Sequence, residues 1–147
     1  MTPHDERPIP TRAGRGRLVG MSVLGLFVIG AAMVAASAII HLYLWGKEDG
    51  YRNVPTIGPM FLAQGIVGCL LAVAAIIKRR LIVALAGAVY MAGSIAALYK
   101  SIHGGLFDFE ETSDAPYVQM SFAVEFIGLA AFAIAIVVLL LSKESKA

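Results

Sequence analysis

Hydrophobic residues in this 147-residue chain gather into four long unbroken runs instead of alternating with polar ones. The runs cover 18–45, 57–77, 81–99 and 117–141, and within them only His41 and Glu125 are acidic or basic side chains. A bilayer-spanning helix needs about 20 apolar residues, so each run predicts a transmembrane helix. The expected fold is an all-α membrane protein, a four-transmembrane-helix bundle. Punctuation between the runs agrees. Residues 46–56 (GKEDGYRNVPT) hold two glycines and a proline, which mark a loop. Gly58-Pro59 falls near the start of the second helix, where proline is tolerated. Lys78, Arg79 and Arg80 make so short a link that helices two and three are expected to be antiparallel neighbours. Residues 100–116 form a longer loop. The segment 1–17, with Pro3, Pro8, Pro10 and four arginines, is expected to be a disordered cytoplasmic tail, and 142–147 a short polar one.

Composition sharpens this picture. The chain is 59% apolar and 15% charged, against about 45–50% and about 25% in ordinary soluble domains. That excludes a soluble enzyme, a nucleic-acid binder and a disordered chain. Basic residues are distributed unevenly: nine lie in the two tails and the 78–80 link, and three (Lys47, Arg52, Lys100) lie at the other end. The positive-inside rule then puts both termini in the cytoplasm of a multi-pass cell-membrane protein. Arg12 to Arg17, the apolar run and Ala36-Ser37-Ala38 imitate a signal peptide with its cleavage site. The apolar run continues past that point, so an uncleaved first helix is expected. Cys69 is the single cysteine, which excludes an internal disulfide and a cysteine metal cage.

Between membrane helices, close packing depends on small residues, because lipid supplies no hydrophobic drive. Helix three carries Ala84, Ala88, Ala92 and Ala96, helix one Ala31, Ala32, Ala35 and Ala36, and helix two Gly65 and Gly68. The four alanines at every fourth position predict a buried stripe on helix three.

Polar groups at membrane depth are the costly ones. Glu125 sits roughly 12 Å along the fourth helix at ~1.5 Å per residue, and a carboxylate there must be protonated, paired or beside a hydrated cavity. His41, Gln64 and Ser94 lie at similar depth on the other helices, and i, i+4 spacing adds Ser37, Tyr90 and Ser121. Two readings stand. His41, Gln64, Tyr90, Ser94 and Glu125 line a polar pocket for a ligand, proton or quinone, or they form a structural cluster in which neutral Glu125 donates to Gln64 or His41. Haem fits poorly, because a b-type haem needs two facing histidines and only His41 lies in a helix; His103 is in a loop and His4 in the tail. No cofactor and no metal is expected. The loop containing His103, Asp108, Glu110, Glu111 and Asp114 is rich in oxygen ligands but lacks the EF-hand spacing. It is expected to be a solvated acidic loop whose phenylalanines dip into the interface.

Segments 41–64 (HLYLWGKEDGYRNVPTIGPMFLAQ) and 105–117 (GLFDFEETSDAPY) resemble a group of small four-helix integral membrane proteins of actinobacteria. The resemblance covers about 18–141 and implies a topology and a host lineage. The group has no assigned activity, so no catalytic residue is carried over. A likeness to small multidrug exporters fails, because their key membrane glutamate is in the first helix and Glu125 is in the fourth.

Three functions follow from these residues. The first is a non-enzymatic accessory subunit docking on a larger membrane complex through the alanine stripe and the loops. The second is a small transporter or proton-coupled carrier, working as a homo-oligomer through Glu125 and His41. The third is a redox or quinone-associated protein using His41, Tyr90 and Glu125. The absence of a nucleophile–base pair and of a phosphate-binding glycine loop favours the first.

Overall fold

The computed structural model describes residues 12–144. They form α1 (Arg12–Gly46), a 3₁₀ turn (Tyr51–Asn53), α2 (Ile57–Ile77), α3 (Leu81–Gly104) and α4 (Val118–Glu144). The described chain is an all-α four-helix bundle, and each helix is long and apolar enough to cross a membrane.

Three helix ends outrun the sequence expectations. Helix α1 already begins at Arg12, so 12–17 are helical, not part of a disordered tail. Once a helix is nucleated each further residue adds a hydrogen bond, which here offsets the low helix propensity of Gly14 and Gly16. The rest of that tail, and 145–147 of the C-terminal one, lie outside the described residues. Helix α3 runs on to Gly104, with Ser101 Oγ on the Leu98 carbonyl at 2.8 Å and His103 Nδ1 on that of Tyr99 at 3.0 Å. It stops at Gly105, whose φ of 71° suits a residue without a Cβ. Helix α4 continues to Glu144.

Burial on α2, α3 and α4 follows alternating steps of three and four residues. On α3 the buried line is Ala84, Gly87, Met91, Ser94 and Ser101; on α4 it includes Val118, Ser121, Glu125, Gly128, Phe132 and Ala135. That 3.5-residue period is the seam of a helix bundle. It overturns the expected alanine stripe. Ala84 is buried and Ala88 partly so, but Ala92 and Ala96 are exposed. Each step of four residues turns the helix by about 400°, so a strict i+4 row drifts about 40° per step off the contact face.

Helix α1 packs along both α2 and α4, and α3 packs chiefly on α4. Helices α2 and α3 also touch, but only lightly in spite of their short link. The Tyr90 hydroxyl crosses between them to the Gln64 carbonyl, at 3.0 Å. Half-way along the bundle, the fully buried Phe132 ring stands edge-on to Phe27, with centroids 6.1 Å apart. The ring lies between two bare backbones: a Cβ placed on Gly30 of α1 would come within 2.7 Å of it, and one on Gly87 of α3 would also collide with it. Outward positions such as Val67, Leu70, Val89, Ile127 and Ile134 are exposed and apolar, and Cys69 faces the same way. A surface of that kind suits the apolar interior of a bilayer.

Candidate functional site

Glu125 lies seven residues into α4, about 10 Å from the helix start. Its side chain is fully buried where α1, α3 and α4 converge. The hydroxyls of Ser37 (at 3.3 Å) and Ser94 both donate to Oε1. Oε2 has no hydrogen-bond partner, the sole such buried side-chain atom among the described residues. The structural cluster expected from sequence is thus corrected in its partners: serine hydroxyls, not Gln64 or His41, hold the carboxyl group.

Glu125 forms part of the floor of a cavity of about 90 Å³ at the end of the bundle that carries the two longer loops. One water needs about 10–15 Å³, so the space admits several waters or a small organic molecule. Gln64, Ser94 and Ser121 line it beside Glu125, between the apolar side chains of Ile40, Leu44, Ile57 and Leu98. His41 also lines it. Its Nδ1 meets the Ser37 carbonyl at 2.8 Å, and since a carbonyl only accepts, that nitrogen carries the proton. In the neutral ring, Nε2 is therefore the acceptor.

The mouth is built from aromatic rings. His41 leans on Phe61 (centroids 4.9 Å), Phe61 stacks on Tyr51 (4.5 Å), and Tyr51 meets Phe109 edge-on (5.6 Å). Phe109 comes from the loop after α3, where paired backbone bonds of 2.7 and 3.0 Å join it to Leu106. The intervening Phe107 and Asp108 have φ of 52° and 59°. Aspartate tolerates that region, whereas phenylalanine is strained there. The loop is tied down twice more: Glu111 N donates to the Ser101 carbonyl at 3.0 Å, and the Tyr51 hydroxyl donates to Glu111 Oε2. Burial, then the neighbouring Glu111 carboxylate, hold the Tyr51 phenol above its usual range.

Of the residues singled out in the sequence, His41, Gln64, Ser94 and Glu125 line one cavity, and Glu111 joins them from the loop. Tyr90 lies outside it and reaches Ser37 and the Gln64 backbone. His103 is exposed and stacked on Tyr99, with centroids 4.1 Å apart. Asp108 lines a separate shallow groove with Val54 and Phe107, while Glu110 and Asp114 are exposed. Among the described residues no group of three or more His, Cys, Asp or Glu could hold a metal. Sequence reasoning missed Tyr51, Phe61 and Phe109; the one available signal was the placement of aromatic residues within polar loops and at a helix start. Comparison with protein families, curated proteins and solved structures finds no match to this chain.

Proposed function

We propose that this chain is a small non-enzymatic protein of the cell membrane that binds a small molecule in the cavity above Glu125. Both termini lie in the cytoplasm, so the cavity opens outward; the nine-to-three division of basic residues supports this orientation. The similarity of the loop segments points to an actinobacterial host. One observation carries the reading: Glu125, whose Oε2 is buried without a hydrogen-bond partner, is among the residues that line a cavity. An unsatisfied buried polar group costs about 1–3 kcal/mol, and more when charged, unless a bound group meets it. The carrier reading uses the same site, but beneath Glu125 the core is closed by Met91, Phe132 and Phe27, which supports access from one end. A second reading, docking as an accessory subunit on a larger membrane assembly, draws on Ala92, Gly93 and Ala96. These are exposed on α3 and would let another helix approach closely.

Thiol labelling of intact cells tests orientation and cavity together. In a Cys69→Ser background, cysteines at Asp114 and at cavity-lining Ser121 should react with a small impermeant methanethiosulfonate, and one at Arg79 should not. Reaction at 79 overturns the orientation. Protection at 121 with labelling at 114 overturns the open cavity.

A further inference from the structure

The groups around the cavity restrict what can occupy it, provided it is a ligand site as read above. Its ionisable lining holds two carboxyl groups, Glu125 and Glu111, with the phenols of Tyr51 and Tyr117, and no lysine or arginine. His41 is the only base, and its Nδ1 proton is already committed to the Ser37 carbonyl. Such a lining repels anions and favours a cation. A hard metal ion is a poor occupant, since it needs six or more oxygens. Ile40, Leu44, Ile57, Leu98 and the Phe61 ring fill most of the wall. In the ionised carboxylate the atom left to satisfy is an acceptor, Oε2, so the occupant must bring an N–H or O–H donor, and the acidic lining favours the donor that is also a cation.

We propose that the cavity binds a small ammonium ion bearing at least one N–H and a short apolar group. Its N–H donates to Oε2 of Glu125, and its apolar part lies against the aliphatic wall and the ring of Phe61. Glu111 draws the cation to the mouth, and the Glu125 carboxylate balances its charge at the floor. A quaternary ammonium has the charge but no donor, and it leaves Oε2 unsatisfied. A neutral alcohol has the donor but no charge.

Calorimetric titration of the full-length protein in lipid nanodiscs, with empty nanodiscs as the blank, tests this. The probes are n-butylammonium, tetramethylammonium, 1-butanol and butanoate. Butylammonium should bind at least about tenfold more tightly than each of the others. Glu125→Gln should weaken it at least about tenfold and leave 1-butanol unchanged. If 1-butanol matches butylammonium, the cavity takes neutral guests: the ligand site stands and the ammonium proposal falls. Binding by none of the four overturns the ligand site itself. Butylammonium binding that is undiminished in Glu125→Gln places the cation elsewhere and overturns the proposal. Should that variant fail to fold, the ranking of the four probes on the unmodified protein still decides.

Discussion

The Phe132 ring, caught between the backbones of α1 and α3, allows a quantitative test of the bundle. In Gly87→Ala the new Cβ meets ring atoms of Phe132 at under 3 Å, and the same ring lies close against the bare backbone at Gly30. Overpacking of this kind costs about 1–3 kcal/mol. Alanine also raises helix propensity by up to about 1 kcal/mol over glycine, which would mask part of the effect. Gly93 removes that ambiguity. It lies on the same helix, and a Cβ there meets nothing within 4 Å. The difference between the two variants therefore isolates the steric term, roughly 5- to 150-fold in the folding equilibrium at ~1.4 kcal/mol per tenfold. Unfolding in mixed detergent micelles, followed by circular dichroism, reads it directly. Phe132→Leu in the Gly87→Ala background should recover at least half of the loss, because a smaller side chain can move aside. Equal stability of Gly87→Ala and Gly93→Ala would show that the ring is not held in this way.

Three other outcomes are expected. Ala84→Leu should destabilise the bundle by about 1–3 kcal/mol and Ala92→Leu by far less, because only the first is buried; the reverse order would mean that the contact face follows the i+4 alanines. Glu125→Leu should unfold more easily than Glu125→Gln by about 1 kcal/mol, since it strands the hydroxyls of Ser37 and Ser94; equality would show those hydroxyls bonding within their own helices. The Tyr51 phenol is raised in the folded protein by burial and then by Glu111, so its contribution is complete below the unfolded value of about 10 and is lost as pH climbs beyond it. Proteolysis of the 105–117 loop should accelerate as pH rises above about 10 and lose that dependence in Tyr51→Phe; identical pH profiles would refute the tie.

Much of the architecture was legible because bilayers impose an unusually simple code. Four apolar runs of sufficient length, with only His41 and Glu125 as titratable acid or base among them, leave little alternative to four helices. Glu125 announced itself through its cost at that depth. Rotation about each helix axis was harder to read. Helix α3 is rich in small residues on every side, so an i+4 row of alanines and a 3.5-residue seam were both available, and only contact with α4 selects the second. Light contact between α2 and α3 was illegible for a related reason, since a short link constrains two helix ends and not their faces. The aromatic mouth depends on residues far apart in the chain, with Tyr51 meeting Phe61 from α2 and Phe109 from the second loop. No local pattern encodes that meeting. The serine partners of Glu125 lie 88 and 31 residues away; depth along the helices brought Ser94 into the expected cluster, while Ser37 entered only through its spacing from His41.

The closed half of the core also has an electrical consequence. From Glu125 toward the termini, the buried interior consists of Phe27, Val34, Met91, Phe132 and a row of alanines. A dry, low-dielectric plug of that kind sustains most of the voltage across a membrane, while a cavity reached by water sustains little. Carrying one charge across the whole potential changes its energy by ~2.3 kcal/mol per 100 mV. A cation entering from the loops and stopping at Glu125 traverses only the shallow part of that field. Its occupancy is then governed by concentration and acidity outside the bundle, and it stays nearly constant whether the membrane is energised or depolarised.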